Sequence, residues 1–160
     1  MTKLSDSYNF RAITAALTTS GQPTEALLRA AASEGYEVVI NLALHDDPRY
    51  SLPDEKDCVE GLGLVYVHIP VQFGAPQEQD LLAFFLAMEM YNDKKIHLHC
   101  AANMRATAFL GIYHMIKSGQ SETEAFEPMR DIWDPDEVWA SFIANMIDKF
   151  VRPGAPASAK

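Results

Sequence analysis

The sequence predicts an α/β fold in which a mainly parallel central sheet of about four to five strands is flanked by helices on both faces. Apolar, β-branched runs typical of buried strands alternate along the chain with segments of helical periodicity. This alternation implies right-handed crossovers between parallel strands. The 160 residues, 48% of them apolar, suffice for one hydrophobic core. We therefore expect a single domain over residues 1–150 and a disordered tail over 151–160, where small residues and prolines collect.

The first part of the chain supplies two strand candidates around one helix. Residues 13–21 form a weak strand candidate that ends in a turn. The next helix is expected to begin at Pro23 or Thr24 and to end at Gly35, because an apolar stripe lies between these start and stop signals. Residues 36–44 are an apolar run of the kind found in buried parallel strands.

The rest of the chain repeats the alternation. The predicted elements are a short helix over residues 54–63, a strand over 64–71, an amphipathic helix over 75–93, a strand over 95–100, and helices over 105–119, 121–133 and 134–150. At the start of the last helix, Asp134 is the expected cap and Pro135 the first helical residue. In a parallel sheet, ligands bind beyond the carboxyl ends of the strands.

The charge of the chain limits its partners. The formal net charge is −9, and a field of this sign repels nucleic acid and anionic membrane surfaces, so we expect neither as a partner. No apolar run approaches the roughly 20 residues that span a bilayer, and the N-terminal segment is too polar for a secretory signal. With only two cysteines, Cys58 and Cys100, the sequence favours a reduced, cytoplasmic setting. It does not indicate the oligomeric state.

The stretch from Cys100 to Arg105 carries the strongest chemical signal, because Cys100 ends a predicted strand and a helix begins one short loop later. Unpaired amides and the positive end of a helix dipole favour a thiolate there, and the same amides can bind an anion. The expected phosphate-binding residues are those of the loop and the arginine after it: Ala101, Ala102, Asn103, Met104 and Arg105. Asn103 is expected to adopt a positive φ, which Asn tolerates well. The pattern predicts nucleophilic attack at phosphorus or at another centre that carries negative oxygens.

The segment HCAANMRAT resembles the signature loop of the cysteine-dependent protein tyrosine and dual-specificity phosphatases, in a bacterial branch with a short Cys-x4-Arg loop. The resemblance covers roughly residues 18–119. It implies that Cys100 is the nucleophile and forms a phosphocysteine, and that Arg105 binds the phosphate and the transition state. It also implies that His99 hydrogen-bonds the loop and that Thr107 assists release of the phosphate. The implied substrate is a phosphorylated small molecule or phosphoprotein, with phosphotyrosine or an aryl phosphate favoured, and no metal or cofactor is needed.

The length of the loop departs from the family pattern. Four residues separate Cys100 from Arg105, whereas the phosphatases usually have five. Four is the spacing of rhodanese-type sulfurtransferases. A sulfurtransferase or persulfide carrier is therefore one alternative to a phosphatase, and a non-catalytic module that binds phosphate or phosphopeptides is another.

The second departure concerns the general acid. The related phosphatases usually have an aspartate just after the strand that corresponds to residues 64–71, where this chain has Gln72 and Phe73. A missing acid costs about 10²–10⁴ in rate, so slow turnover is expected. The segment that follows residues 36–44 offers four candidate substitutes: Asp46, Asp47, Asp54 and Glu55. We take Asp47 as the catalytic candidate among them.

Overall fold

A computed structural model describes residues 2–45 and 51–151, and a five-stranded sheet lies at its centre. The strands are β1 (Arg11–Thr14), β2 (Leu17–Ser20), β3 (Val38–Asn41), β4 (Val65–His68) and β5 (Ile96–His99). Their order across the sheet is β1-β2-β5-β3-β4. β1 runs antiparallel to β2, and the other neighbouring pairs are parallel. The predicted α/β fold with a mainly parallel sheet is confirmed.

The single strand predicted over residues 13–21 is wrong, because this segment contributes to both strands of a β1–β2 hairpin. The Thr14 hydroxyl oxygen accepts a hydrogen bond from the amide of Ala16 at 3.1 Å. This side-chain contact closes the turn without glycine or proline. A search of the sequence for glycine or proline therefore does not predict this turn.

Within the described residues, six α-helices accompany the sheet: α1 (Glu25–Ser33), α2 (Glu55–Gly61), α3 (Glu78–Met90), α4 (Met104–Ser118), α5 (Glu122–Ala125) and α6 (Glu137–Phe150). Short 3₁₀ helices lie at Leu4–Asp6 and Glu127–Met129.

The start and end of α1 lie where the sequence predicts them, whereas the N-terminal cap of α6 is a different residue from the predicted one. Thr24 Oγ1 accepts a hydrogen bond from the amide of Leu27 at 3.2 Å, and Gly35 follows the helix with a φ of +89°. The cap predicted at Asp134 is wrong. Asp136 caps α6 instead, because its carboxylate accepts a hydrogen bond from the amide of Trp139 at 2.9 Å.

The two faces of the sheet differ in chemistry. Helices α3, α4 and α6 pack on one face, here called the apolar face, whose core includes the fully buried rings of Phe84, Phe109 and Trp139. Helices α1 and α2 pack on the other, here called the polar face. Its strands carry buried polar side chains beside a smaller apolar cluster: Thr18, Ser20, Asn41, His97 and His99. Since burial of one large apolar side chain contributes about 1.5–3 kcal/mol, the apolar face supplies most of the hydrophobic stabilisation.

The carboxyl ends of the four parallel strands lie level with one another. Ser20 pairs with His99, His99 with Asn41, and Asn41 with His68. Paired residues of neighbouring strands point to the same face, so these side chains form one polar row along this edge. Cys100 follows His99 directly, and the loop that it opens therefore leaves the sheet at the edge predicted to bind ligands.

None of the described helices is both long enough and apolar enough to cross a bilayer. Residues 152–160 lie outside the described part of the chain, as do residues 46–50. The domain limit at residue 150 and the tail after it therefore remain predictions.

Candidate active site

The loop between β5 and α4 has its carbonyl groups engaged on one side. Three successive carbonyls accept hydrogen bonds: Cys100 from His99 Nδ1 at 3.2 Å, Ala101 from the amide of Gln22 at 3.0 Å, and Ala102 from Asn9 Nδ2 at 3.1 Å. In a trans peptide, the next amide points away from the carbonyl. The amides that follow Cys100 and Ala101 therefore face away from these donors. This arrangement leaves N–H groups on the side of the loop where an anion can bind.

Asn103 shapes the loop through both its backbone and its side chain. Its φ of 66° confirms the predicted positive value. Its buried Nδ2 donates to the carbonyl of Asn9 at 2.8 Å and to Thr19 Oγ1 at 2.9 Å. Among the described residues, no side chain caps the first turn of α4. The amides of that turn and the positive end of the helix dipole therefore remain available to an anion.

The guanidinium group of Arg105 is fixed at one end and unpaired at another. Nη1 donates to the carbonyl of Val71 at 2.8 Å, and the group lies 5.8 Å from the ring centre of Phe73. Nε is buried and has no hydrogen-bond partner within residues 2–45 and 51–151. A buried, unpaired donor on a cation is costly unless a ligand satisfies it. The Nε of Arg105 is therefore a donor that an oxyanion at this loop would satisfy.

A buried ion pair supports the loop from the polar face. His99 Nε2 lies 2.6 Å from Glu55 Oε2, and both side chains are fully buried. Glu55 Oε1 accepts a second hydrogen bond, from Gln22 Nε2 at 2.8 Å. Burial alone would raise the pKa of Glu55, but the charge of His99 and the hydrogen bonds from His99 and Gln22 outweigh it and lower that pKa. The carbonyl of Cys100 and the carboxylate of Glu55 are both hydrogen-bond acceptors, so each ring nitrogen of His99 faces an acceptor.

With this geometry in place, comparison with known proteins identifies the family. A sequence model described as "DSP-PTPase phosphatase fused to NAD+ Kinase" matches residues 3–137, which include the whole sheet and the loop from Cys100 to Arg105. The chain belongs to this phosphatase family. The comparison with curated proteins found no significant match.

Solved structures agree with this assignment. A DUF442 protein of Shewanella putrefaciens CN-32, classed as a phosphatase, is 28% identical, with 92% of this chain and 96% of that chain covered and a TM-score of 0.82. A second structure under the same description is 31% identical, with 89% and 91% covered and a TM-score of 0.80. Tk-PTP in its active form shares the fold, with 22% identity, 88% and 97% covered and a TM-score of 0.74. These matches favour the phosphatase over the sulfurtransferase and the non-catalytic binder.

The four candidate general acids differ in their positions and partners. Asp47, the predicted acid, and Asp46 lie outside the described residues. Asp54 is exposed at the start of α2. Glu55 is paired with His99 and has a lowered pKa, so it holds no proton to donate and is removed from the candidates. Asp47 remains a prediction.

The segment after β4 lacks a carboxylate but is firmly anchored. Residues 71–77 read VQFGAPQ. The carbonyl of Phe73 accepts a hydrogen bond from Trp139 Nε1 at 2.6 Å. The ring of Phe73 packs against Trp133 and Trp139, with centroids 5.7 Å and 5.9 Å away. Phe73 therefore forms an aromatic wall beside Arg105 at the position where related phosphatases are expected to carry their acid.

Thr107 makes contacts other than the expected one. Its hydroxyl donates to the carbonyl of Asn103 at 2.7 Å and lies 3.1 Å from that of Met104. A hydroxyl has one proton, so in this structure it is directed at the loop backbone and not at the sulfur of Cys100. Assistance from Thr107 in the release of phosphate therefore stays a prediction that requires the hydroxyl to rotate.

Gly21 is a loop-shaping residue that the sequence reading missed. A Cβ at this position would lie 2.6 Å from the carbonyl oxygen of Ala101 and 3.2 Å from the Cα of Ala102. The backbone after β2 can therefore approach the loop only because residue 21 has no side chain. A glycine that directly follows a strand is the available sequence signal, since it often marks a close backbone approach.

No group of three or more His, Cys, Asp or Glu side chains in residues 2–45 and 51–151 is arranged to hold a metal ion. His97, which stands near His99 and Cys100 in sequence, is engaged otherwise. Its Nδ1 lies 2.8 Å from Thr18 Oγ1, and its Nε2 lies 2.8 Å from Ser20 Oγ. Burial, with a smaller effect of nearby His99, lowers the pKa of His97 well below its usual value, so the ring is neutral.

Proposed function

We propose that the protein hydrolyses phosphomonoesters through a cysteinyl-phosphate intermediate on Cys100. The favoured substrate is phosphotyrosine in a phosphoprotein or a small aryl phosphate. One observation carries this proposal: the loop turns its carbonyls away from the site, while Arg105 keeps a buried, unpaired Nε beside it. Such a cradle matches the three non-bridging oxygens of a phosphoryl group.

In the first step, the thiolate of Cys100 attacks phosphorus. An S–P bond forms, and the P–O bond to the leaving group breaks with its electron pair going to oxygen. The backbone amides of Ala101, Ala102, Asn103 and Met104 are proposed to bind the non-bridging oxygens together with the guanidinium of Arg105. Donors already in position stabilise the charge that spreads over these oxygens in the transition state.

In the second step, water attacks the cysteinyl phosphate. The S–P bond breaks with its electron pair going to sulfur, the water proton passes to solvent or to a base, and inorganic phosphate leaves. Thr107 is proposed to rotate and donate a hydrogen bond from its hydroxyl to the departing sulfur, which keeps the proton on oxygen while it stabilises the thiolate. The catalytic thiol must stay reduced to serve again, which supports a cytoplasmic location.

The leaving group decides how fast the first step runs. No acid stands in residues 71–77, so a phenolate, which leaves without full protonation, is a better leaving group here than a serine or threonine alkoxide. Asp47 is proposed as a partial substitute. An aryl preference follows from this chemistry, with the ring of Phe73 as an adjacent apolar surface.

The test is turnover of para-nitrophenyl phosphate by wild type, Cys100→Ser and Arg105→Lys. Loss of activity by at least about 10³-fold is expected in the serine variant, since a neutral hydroxyl replaces a thiolate. Arg105→Lys is expected to lose at least about tenfold, because lysine is a point charge without the planar fork. Mass spectrometry after a denaturing quench should find the phosphate on Cys100. Equal turnover by wild type and Cys100→Ser would remove the cysteine mechanism.

A further inference from the structure

We infer that Glu55, on the helix that covers the polar face, is a positioning residue that sets both the shape of the loop and the positive charge of His99, the residue before Cys100. The inference rests on the proposed function of Cys100 as nucleophile. Glu55 belongs to α2 and lies 44 positions before His99 in the chain, so the contact arises from tertiary packing alone.

The carboxylate of Glu55 reaches the loop through two arms. Oε2 binds His99 Nε2 at 2.6 Å, and His99 Nδ1 donates to the carbonyl of Cys100 at 3.2 Å. Oε1 accepts from Gln22 Nε2 at 2.8 Å, and the amide of Gln22 donates to the carbonyl of Ala101 at 3.0 Å. One buried group therefore orients two successive carbonyls and, through them, the two amides that face the anion.

Glu55 also decides whether His99 carries a charge. An imidazolium buried without a counter-ion would lose its proton, because burial disfavours the charged form. With Glu55 in place, each ring nitrogen of His99 faces an acceptor, so both donate, and the charge is kept against the carbonyl of Cys100. An adjacent positive charge favours a thiolate and an incoming oxyanion.

The other groups that surround this pair do not supply the same charge. His45 Nε2 lies 4.0 Å from Glu55 Oε1, but it stands 3.0 Å from Asn41 Nδ2, which can only donate to it. Burial and the neighbouring His68 lower the pKa of His45, and burial lowers that of His97, whose ring stacks on His99 at 6.3 Å. Two further groups, Tyr66 and Cys58, have pKa values raised by burial and by nearby negative charge, including that of Glu55, and are neutral.

The first test compares Glu55→Gln with the control Asp57→Asn, which removes the same charge from an exposed position on the same helix. Both are made in a Cys58→Ser background, so that Cys100 is the remaining cysteine. The readout is the rate of alkylation by iodoacetamide from pH 5 to pH 9, which reports the thiolate without any turnover. In Glu55→Gln, the rate at pH 6 should fall about tenfold and the midpoint of the profile should move to higher pH. Asp57→Asn should follow the parent.

A purely structural role for Glu55 would lower the alkylation rate without moving the midpoint, and that result would overturn the inference. The second measurement uses the wild type and does not depend on the variant folding. Nuclear magnetic resonance of the ring nitrogens at pH 7 should find both nitrogens of His99 protonated. A neutral His99 ring would equally overturn it.

These readouts separate the inference from the proposed function. A shifted alkylation profile without turnover of any aryl phosphate would retain the role of Glu55 and remove the hydrolase. Normal turnover of the aryl phosphate with an unshifted alkylation profile would retain the hydrolase and remove the role of Glu55.

Discussion

The two faces of the central sheet divide stability from chemistry. The apolar face is a continuous set of aromatic and aliphatic side chains, with Phe109 in ring contact with Trp139 and Phe142. The interior of the polar face is joined by hydrogen bonds. Thr18 and Ser20 bond to His97, and Glu55 bonds to His99. Buried polar groups add little net stability but fix orientation when they are fully satisfied. The difference teaches that one face holds the domain together and the other shapes the loop.

The largest effect on stability is expected from the apolar face. Trp139→Ala should lower the free energy of unfolding by about 3–5 kcal/mol, because a fully buried indole leaves a cavity. Urea denaturation measures this loss. Trp139→Phe is the control, since it keeps most of the packing and removes only the hydrogen bond to Phe73. A loss below about 1 kcal/mol in Trp139→Ala would contradict the assigned role of this face.

A smaller loss of stability, with a larger effect on activity, is expected at Gly21. The added methyl of Gly21→Ala would lie 2.6 Å from the carbonyl oxygen of Ala101, so either the loop or β2 must move. We expect about 1–3 kcal/mol of destabilisation and a drop in aryl phosphate turnover out of proportion to it. Gly61→Ala, in open space within α2, is the matched control; it should leave turnover unchanged and stabilise the fold by up to about 1 kcal/mol, because alanine favours the helix. Full activity in Gly21→Ala would show that the close approach is not needed.

The polar face should make the protein sensitive to acid. The lowered pKa of His97 means that the unfolded chain binds a proton that the folded protein excludes. Its contribution to stability is therefore present above pH 6.5 and is lost as the pH falls below 6.5, by up to about 1.4 kcal/mol per pH unit for each proton taken up. The lowered pKa of Glu55 acts in the same direction below pH 4.5.

Urea denaturation at pH 8, 6.5 and 5 measures this dependence. The free energy of unfolding should be lower at pH 5 than at pH 8, and the decrease should be shallower in His97→Gln, which cannot titrate. An identical slope in wild type and His97→Gln would show that acid lability arises elsewhere.

The smallest effect is expected from an ion pair between the helices of the apolar face. Lys149 Nζ lies 2.7 Å from Glu78 Oε1, but the lysine side chain is 56% exposed. Exposed pairs contribute about 0–1 kcal/mol, so Lys149→Met should change the free energy of unfolding by less than 1 kcal/mol. A larger loss would mean that charge, and not packing, joins α3 to α6.

The sequence predicts those parts of the molecule that depend on neighbours along the chain. The alternation of strands and helices is local, and so is the spacing of Cys100 and Arg105, which places both at one short loop. The hairpin turn at Thr14 depends on a single side-chain contact, and the choice of Asp136 over Asp134 as a cap depends on one residue's geometry. The contact between Glu55 and His99 depends on how α2 packs against the sheet, and no local sequence pattern predicts it.

The anchoring of the wall after β4 has a consequence for ligand binding. Arg105 holds the carbonyl of Val71 and Trp139 holds that of Phe73, so the chain around Gln72 is fixed on both sides before any ligand arrives. Under the proposed function, binding of an oxyanion would therefore order little of the chain at this segment, and binding would cost little conformational entropy of the protein. The same rigidity limits which ligands fit, because the segment from Val71 to Phe73 cannot move to accommodate a ligand of a different shape.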